Sequence, residues 1–190
     1  GLKVKSPYSL QDMAEDTMAV LEELEIAQAH IIGASMGGMI AQTVAYNYPE
    51  RTQSLVSIMS TTWAPHLPPP GREQEQGISD MNESSAEQAK DLEKIGFYPG
   101  ALPNQVTAIL SAGDRTKQVE MINAPTLVLH GADDELLSLE HGEHTAEVIS
   151  GAKLKIYKNM GHSLPDHVIP EMVSDIVDHL RTKPTLSISE

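Results

Sequence analysis

The chain contains no cysteine, and basic residues are scarce, with 13 lysines and arginines against 27 acidic residues. Without thiols there is no disulfide framework and no thiolate metal site, which fits a reducing compartment and predicts a cytoplasmic protein. The formal net charge of −14 at pH 7 disfavours a nucleic-acid partner, because a phosphate backbone selects a basic surface. The composition therefore indicates an acidic globular protein that does not bind nucleic acid.

Long apolar runs are also missing. No run approaches the roughly 18 residues that a membrane span needs, and the N-terminus lacks the basic-then-apolar order of a signal peptide. What the chain does have is 190 residues, 40% of them hydrophobic. That length suffices for one domain with one sizeable core.

Short apolar segments alternate along the chain with segments of helical periodicity. Buried strands are predicted at residues 29–34, 54–60, 126–131 and 152–158. Helices are predicted at residues 10–26, 35–48, 139–149 and 165–180. The first helix is expected to begin after the cap Ser9 and to carry an apolar stripe of Met13, Met18, Leu21 and Leu24. This order predicts an α/β fold, in which helices flank both faces of a parallel sheet and reactive groups sit at the carboxyl ends of the strands.

The predicted core comprises residues 1–62 and 104–182, and residues 183–190 form a tail. Between the two core segments, residues 63–103 are expected to form a shortened cap-like or lid-like insertion. Most of this insertion is polar and acidic with few apolar anchors, which is typical of a mobile segment.

Small residues surround one serine in the segment HIIGASMGGMIAQ, residues 30–42. Gly33, Ser35 and Gly37 form a G-x-S-x-G pattern between a predicted strand and a predicted helix, which is typical of a nucleophile elbow. We expect Gly33 and Gly37 to make room for the helix to pack against the strand, and the backbone N–H of Met36 to face a developing oxyanion. The alternative is a glycine-rich turn that only binds a ligand or closes the packing, although the phosphate-binding glycine patterns are not met.

A serine at an elbow needs a base and a group that orients this base, in the chain order serine, acid, histidine. His162 follows the fourth predicted strand, and Asp134 follows the third. We expect His162 to accept the Ser35 proton, while Asp134 holds the imidazole tautomer and stabilises its cationic form. Asp133 competes for the acid role, and we favour Asp134.

The other candidate groups carry weaker signals. His141 and His144 lack the spacing of the zinc-protease motif and are expected on a solvated helix face, so no metal site is predicted. Met36, Met39 and Met59 either line an apolar acyl pocket near the elbow or belong to the core.

On the basis of these residues, the chain resembles the α/β-hydrolase-fold serine esterases of the carboxylesterase and lipase type. Its sequence pattern is similar to that of the aclacinomycin methylesterase-like hydrolases. The resemblance rests on the segments GASMGGMIAQTVAYNYPERTQSLVSIMS, INAPTLVLHGADDELL and NMGHSLPDHV, which cover most of the chain outside its middle quarter. It implies a serine hydrolase that cleaves a small-molecule carboxylic ester through Ser35, Asp134 and His162 by way of an acyl-enzyme, with no cofactor and no metal.

The resemblance is incomplete ahead of the elbow. The family's sheet usually has eight strands, whereas four are predicted here, and the early loop that supplies the second oxyanion N–H is missing. We therefore expect the N-terminal strands to be absent, as in a fragment or a short form, which leaves an exposed sheet edge through which the chain could form a homo-oligomer. One alternative function is a non-catalytic or weakly active remnant that binds a ligand or partner. Within the fold, a cofactor-free perhydrolase or haloperoxidase and a C–C bond hydrolase use the same triad.

Overall fold

The computed structural model describes residues 7–71 and 101–181. Most of the predicted cap-like insertion and the whole predicted tail lie outside these residues. The described helices are α1 Leu10–Glu23, α2 Met36–Asn47, α3 Ala101–Ala112, α4 Thr116–Val119, α5 Leu139–Val148 and α6 Ile169–Arg181. The described strands are β1 Ala29–Ala34, β2 Thr52–Ile58, β3 Thr126–Gly131 and β4 Lys153–Tyr157.

The strands of the described residues form one parallel sheet in the order β1-β2-β3-β4. β3 is buried along its whole length, and β2 exposes only Gln53, which fits strands covered on both faces. The outer strands are more open, since Ile32 of β1 is 46% exposed and Ile156 of β4 is 39% exposed. The predicted α/β fold with a parallel sheet is confirmed.

Helices cover both faces of the sheet, because successive side chains of a strand point to opposite sides. Leu55 of β2 packs in one apolar cluster with Met18 of α1 and Val44 of α2. The next residue, Val56, belongs to the cluster on the other face, together with Met172 of α6. The sheet is thus held between two apolar layers, and its strand ends are fixed in space.

Helix α1 begins with a capping box at Ser9. Its hydroxyl accepts a hydrogen bond from the Asp12 N–H at 3.2 Å, and the Asp12 carboxylate accepts one from the Ser9 N–H at 2.7 Å. The predicted cap is therefore confirmed, but the predicted apolar stripe is only partly right. Leu24 follows the last residue of the helix and is 61% exposed. The buried face consists of Leu10, Ala14, Met18 and Leu21.

Three helices differ from the sequence prediction. Helices α3 and α4 lie at the end of the predicted insertion and the start of the second core segment, where no helix was predicted. Helix α6 begins at Ile169 rather than near residue 165, because Pro165 precedes it in a turn and accepts hydrogen bonds from the backbone N–H groups of Val168 and Ile169. None of the described helices is long and apolar enough to cross a membrane.

Candidate active site

The carboxyl ends of three strands meet at one edge of the sheet and bring together the three predicted residues. Ser35 follows β1 directly, Asp134 lies three residues after β3, and His162 lies five residues after β4. Parallel strands all end on the same side, so the topology alone gathers side chains that are far apart in the sequence.

Ser35 occupies a strained turn between β1 and α2. Its φ of 54° and ψ of −121° lie in a region that residues with a side chain rarely adopt. Hydrogen bonds on both sides hold this conformation. The Ser35 N–H donates to the carbonyl of Ile58 at 2.9 Å, and the Ser35 carbonyl accepts from the N–H of Gly38 at 2.9 Å and from the Ser60 hydroxyl at 2.9 Å. The sequence pattern did not reveal Ser60 as part of the elbow.

The glycines of the elbow do not share one role. A Cβ on Gly33 would lie 2.0 Å from the carbonyl oxygen of Gly37, so the absence of a side chain at residue 33 is a strict requirement, as predicted. The prediction that Gly37 must lack a side chain to make room is wrong, because a Cβ there would meet nothing within 4 Å. The second close approach belongs to Gly38, where a Cβ would lie 2.6 Å from that of Ser60.

His162 connects the serine to the aspartate. Its Nε2 lies 2.8 Å from Ser35 Oγ, and its Nδ1 lies 2.8 Å from Asp134 Oδ2. A carboxylate only accepts hydrogen bonds, so the proton sits on Nδ1 and leaves Nε2 as the acceptor of the serine hydroxyl. The imidazole side chain is 16% exposed, which leaves it partly accessible from solvent.

Asp134 is buried, with a side chain that is 0% exposed. Its second oxygen, Oδ1, accepts hydrogen bonds from the N–H groups of Leu136 at 3.0 Å and Leu137 at 2.9 Å. Together with the bond from His162, three hydrogen bonds fix the orientation of this carboxylate and occupy both of its oxygens. Asp133 is exposed, and its backbone N–H donates to the carbonyl of Met160. Of the two adjacent aspartates, it is therefore Asp134 whose carboxylate contacts His162.

Gly131 allows the two loops beyond β3 and β4 to approach. A Cβ on Gly131 would lie 2.1 Å from the carbonyl oxygen of Met160, two residues before His162. No role was predicted for Gly131 from the sequence. Gly131 ends a buried strand and lies three residues before Asp134, and this position was the signal that could have indicated the close approach.

Met36 is the first residue of α2, so its N–H has no carbonyl one turn earlier in the helix to bind. The positive end of the helix dipole lies at the same place, and the first turn contains no acidic residue to offset it. Met39 and Met59 are buried in the core at 2% and 6% exposure, whereas Met36 is half-buried.

Arg115 is a buried residue that stabilises the helix behind the elbow, and this role was not predicted from the sequence. It is only 3% exposed, and its guanidinium donates hydrogen bonds to the carbonyl of Met39 in α2 and to that of Thr61 after β2. Burial lowers the pKa of this guanidinium, which stays cationic because the ordinary value for arginine is so high. One buried cation therefore ties the helix behind Ser35 to the segment that follows β2.

The expectation that His141 lies on a solvated helix face is wrong. His141 is 2% exposed and joins two segments, with Nδ1 2.7 Å from the Thr61 hydroxyl and Nε2 3.0 Å from the carbonyl of Pro68. Burial lowers its pKa. His144 is half-buried, and its ring makes an edge contact with that of His66. Within residues 7–71 and 101–181, no group of three or more potential ligands could hold a metal ion.

Known proteins share this fold. A family model described as the alpha/beta hydrolase fold matches residues 2–87. Rhodomycin D methylesterase DauP of Streptomyces sp. (strain C5) is 24% identical over 221 residues, which cover 92% of this chain and 74% of that protein. The 2-hydroxy-6-oxononadienedioate/2-hydroxy-6-oxononatrienedioate hydrolase of Pseudomonas sp. is 27% identical over 177 residues, which cover 78% of this chain and 62% of that protein.

Among solved structures, the 2-hydroxy-6-oxo-6-phenylhexa-2,4-dienoate hydrolase of Rhodococcus sp. strain RHA1 is similar at a TM-score of 0.75 and 15% identity, over 95% of this chain and 75% of that one. The chain therefore has the α/β-hydrolase fold, and the proteins that it resembles are hydrolases. The fold predicted from the resemblance is confirmed.

Proposed function

We propose that the chain is a serine hydrolase that cleaves carboxylic esters, with Ser35 as nucleophile, His162 as general base and acid, and Asp134 as the residue that orients His162. The proposal is carried by one observation, the continuous hydrogen-bonded series from Ser35 Oγ through His162 to Asp134 Oδ2, with both links at 2.8 Å. Ser35 also lies on a strained turn at the start of a helix, which is the position that a nucleophile elbow gives to a reactive serine.

In the first half of the reaction, Ser35 Oγ attacks the ester carbonyl carbon while its proton passes to His162 Nε2. The carbonyl oxygen becomes an oxyanion, for which the N–H of Met36 is the proposed donor. When the C–O bond to the alcohol breaks, His162 returns the proton to the departing oxygen. The product of this half is an acyl group bound to Ser35 Oγ and a free alcohol.

In the second half, His162 Nε2 takes a proton from water while the water oxygen attacks the acyl carbon. Collapse of the second tetrahedral species breaks the bond to Ser35 Oγ, which recovers its proton from His162. Throughout, the ionised Asp134 accepts the Nδ1–H and stabilises the imidazolium form of His162.

The proposal is tested by ester turnover with a p-nitrophenyl acyl ester. The expected result is measurable turnover in the natural chain and a loss of about 10⁴-fold or more in Ser35→Ala, as for the removal of a triad nucleophile. Ser111→Ala is the matched control, since it removes an exposed serine hydroxyl of α3 and should keep the activity. Equal turnover in Ser35→Ala and the natural chain would reject the proposal.

A second candidate is favoured by the similarity to the Pseudomonas hydrolase, whose name specifies a 2-hydroxy-6-oxo dienedioate rather than an ester. We infer that the same three residues could serve the cleavage of a C–C bond in such a substrate. Comparing kcat/KM for a p-nitrophenyl ester and for a 2-hydroxy-6-oxo dienoate separates the two, because the larger value identifies the substrate class. Folded protein without turnover of either substrate would instead favour the non-catalytic alternative.

A further inference from the structure

His130 is a buried imidazole beside the candidate active site for which the proposed reaction has no use. It is the penultimate residue of β3 and is 0% exposed. A fully buried polar ring costs stability unless its groups are well paired, so its contacts indicate what it does.

The ring binds the turn that carries Asp134. His130 Nε2 lies 2.8 Å from the carbonyl oxygen of Leu137, and the N–H of Leu137 donates to Asp134 Oδ1 at 2.9 Å. The same Nε2 is 3.5 Å from Asp134 Oδ2, which is longer than the 2.8 Å that separates this oxygen from His162 Nδ1. His130 therefore binds Leu137, the last residue of a turn whose first residue, Asp134, carries the carboxylate.

The contacts also fix the proton on His130. A carbonyl oxygen only accepts, so Nε2 carries the proton and donates it to Leu137. Nδ1 has no hydrogen-bond partner among the described residues, and a Cβ on Gly142 of α5 would lie 2.6 Å from it. The ring is thus wedged against α5 in one tautomer, and its only N–H is already occupied.

The charges around His130 act in both directions. Burial lowers its pKa most, and the positive form of His162 lowers it further, while the carboxylates of Asp134 and Glu140 raise it. His141 on α5 also faces it. The net effect is a lowered pKa, so His130 is neutral at pH 7 and does not compete with His162 for the negative charge of Asp134.

We propose that His130 is a positioning residue for the triad acid: by binding the Leu137 carbonyl, it locks the turn at residues 134–137 so that Asp134 Oδ2 is left to His162. The inference rests on the proposed function for its effect on catalysis, but the alignment of Asp134 with His162 is a property of the resting protein. A residue that merely filled space would not affect how His162 titrates.

The test uses two variants of the full chain and one control. His130→Leu removes the donor and replaces the ring by an apolar side chain of similar volume, whereas His130→Gln puts an amide N–H near the position of Nε2. His179→Leu removes another buried imidazole, which contacts backbone at Leu55 and Pro125 and not the triad.

The first readout is the NMR titration of the His162 imidazole, which needs no turnover. His130→Leu is expected to lower the pKa of His162 below its value in the natural chain, because a displaced carboxylate stabilises the imidazolium less. His130→Gln should restore most of that value, and His179→Leu should leave it unchanged. The second readout is ester turnover, where kcat should fall about 10- to 100-fold in His130→Leu, with KM nearly unchanged and partial rescue by His130→Gln.

An unaltered His162 titration and unaltered kcat in folded His130→Leu would overturn the proposal, as would equal losses in His130→Leu and His130→Gln. If His130→Leu does not fold, His130→Asn replaces it, because its shorter amide reaches the Nδ1 position and not Nε2. His130→Asn must then behave worse than His130→Gln in the same titration. A natural chain without turnover would reject the proposed function, while the titration would still decide the role of His130.

Discussion

The elbow around Ser35 and the two loops that carry Asp134 and His162 reach the same edge of the sheet by different means. The close approach that shapes the elbow lies within a few residues, where the backbone of Gly37 comes near Gly33. The triad contacts span the chain, since Asp134 and His162 are 28 positions apart and Ser35 and His162 are 127 positions apart. The elbow should therefore be sensitive to added volume, and the loops to changes in hydrogen-bonding groups.

The largest expected effect comes from changing one atom in the loops. Asp134→Asn should lower kcat for ester hydrolysis by about 10⁴-fold without unfolding the chain, because an amide cannot hold the required tautomer of His162. Asp133→Asn is the matched control and should stay within about twofold, as for other exposed sites. A steady-state assay with thermal unfolding of both variants checks this, and equal losses in the two would contradict the assignment of the acid.

A smaller effect is expected from added volume in the elbow. Gly33→Ala should lower the free energy of unfolding by about 3 kcal/mol, because the new methyl group meets a backbone carbonyl that cannot move aside. Gly37→Ala should instead be neutral or stabilise by about 0.5–1 kcal/mol, since alanine favours the helix and its Cβ meets nothing within 4 Å. Urea unfolding of both variants measures the difference. Similar destabilisation by the two substitutions would show that the glycines share one role after all.

The elbow could be predicted from the sequence more fully than the loops that carry Asp134 and His162. The G-x-S-x-G pattern, the strand before it and the helix after it all lie in one short segment, so the elbow was predictable from local residues. The alternation of strands and helices then gave the order of Asp134 and His162 along the chain. It could not separate Asp133 from Asp134, because that choice depends on how the turn after β3 bends and which carboxylate receives the N–H groups of residues 136 and 137.

The supporting residues were missed for the same reason. Ser60 and Arg115 contact the site from elements that lie far from it in the sequence, and neither belongs to a short motif. His130 lies close to Asp134 in the sequence, but its contact with Leu137 depends on how the turn after β3 bends. His141 was wrongly assigned to a solvated face, because the segment that buries it, around Thr61 and Pro68, has no helical or strand periodicity.

The smallest expected effect is a pH dependence of the free energy of unfolding that arises from the buried histidines. His130 and His141 have lowered pKa values in the folded chain because they are buried, so the unfolded chain binds their protons first as pH falls. Stability should therefore be complete above about pH 6.5 and decline below it, by at most about 1.4 kcal/mol per pH unit for each histidine.

Urea unfolding between pH 5 and pH 8 measures this decline. His141→Gln should make it shallower, because it removes one of the buried histidines whose pKa is lowered in the folded chain. The substitution His167→Gln, at an exposed residue, is the control and should leave the slope unchanged. An unfolding free energy that rises as pH falls from 7 to 5 would contradict the neutral, buried state of these rings.

The central claim is that His162 makes Ser35 a nucleophile, and covalent labelling with a fluorophosphonate tests it most directly. In folded natural chain, peptide mapping should find the phosphonyl group on Ser35 alone, and His162→Ala should slow the labelling by orders of magnitude. Labelling at other serines, or at Ser35 with the same rate in His162→Ala, would contradict the account.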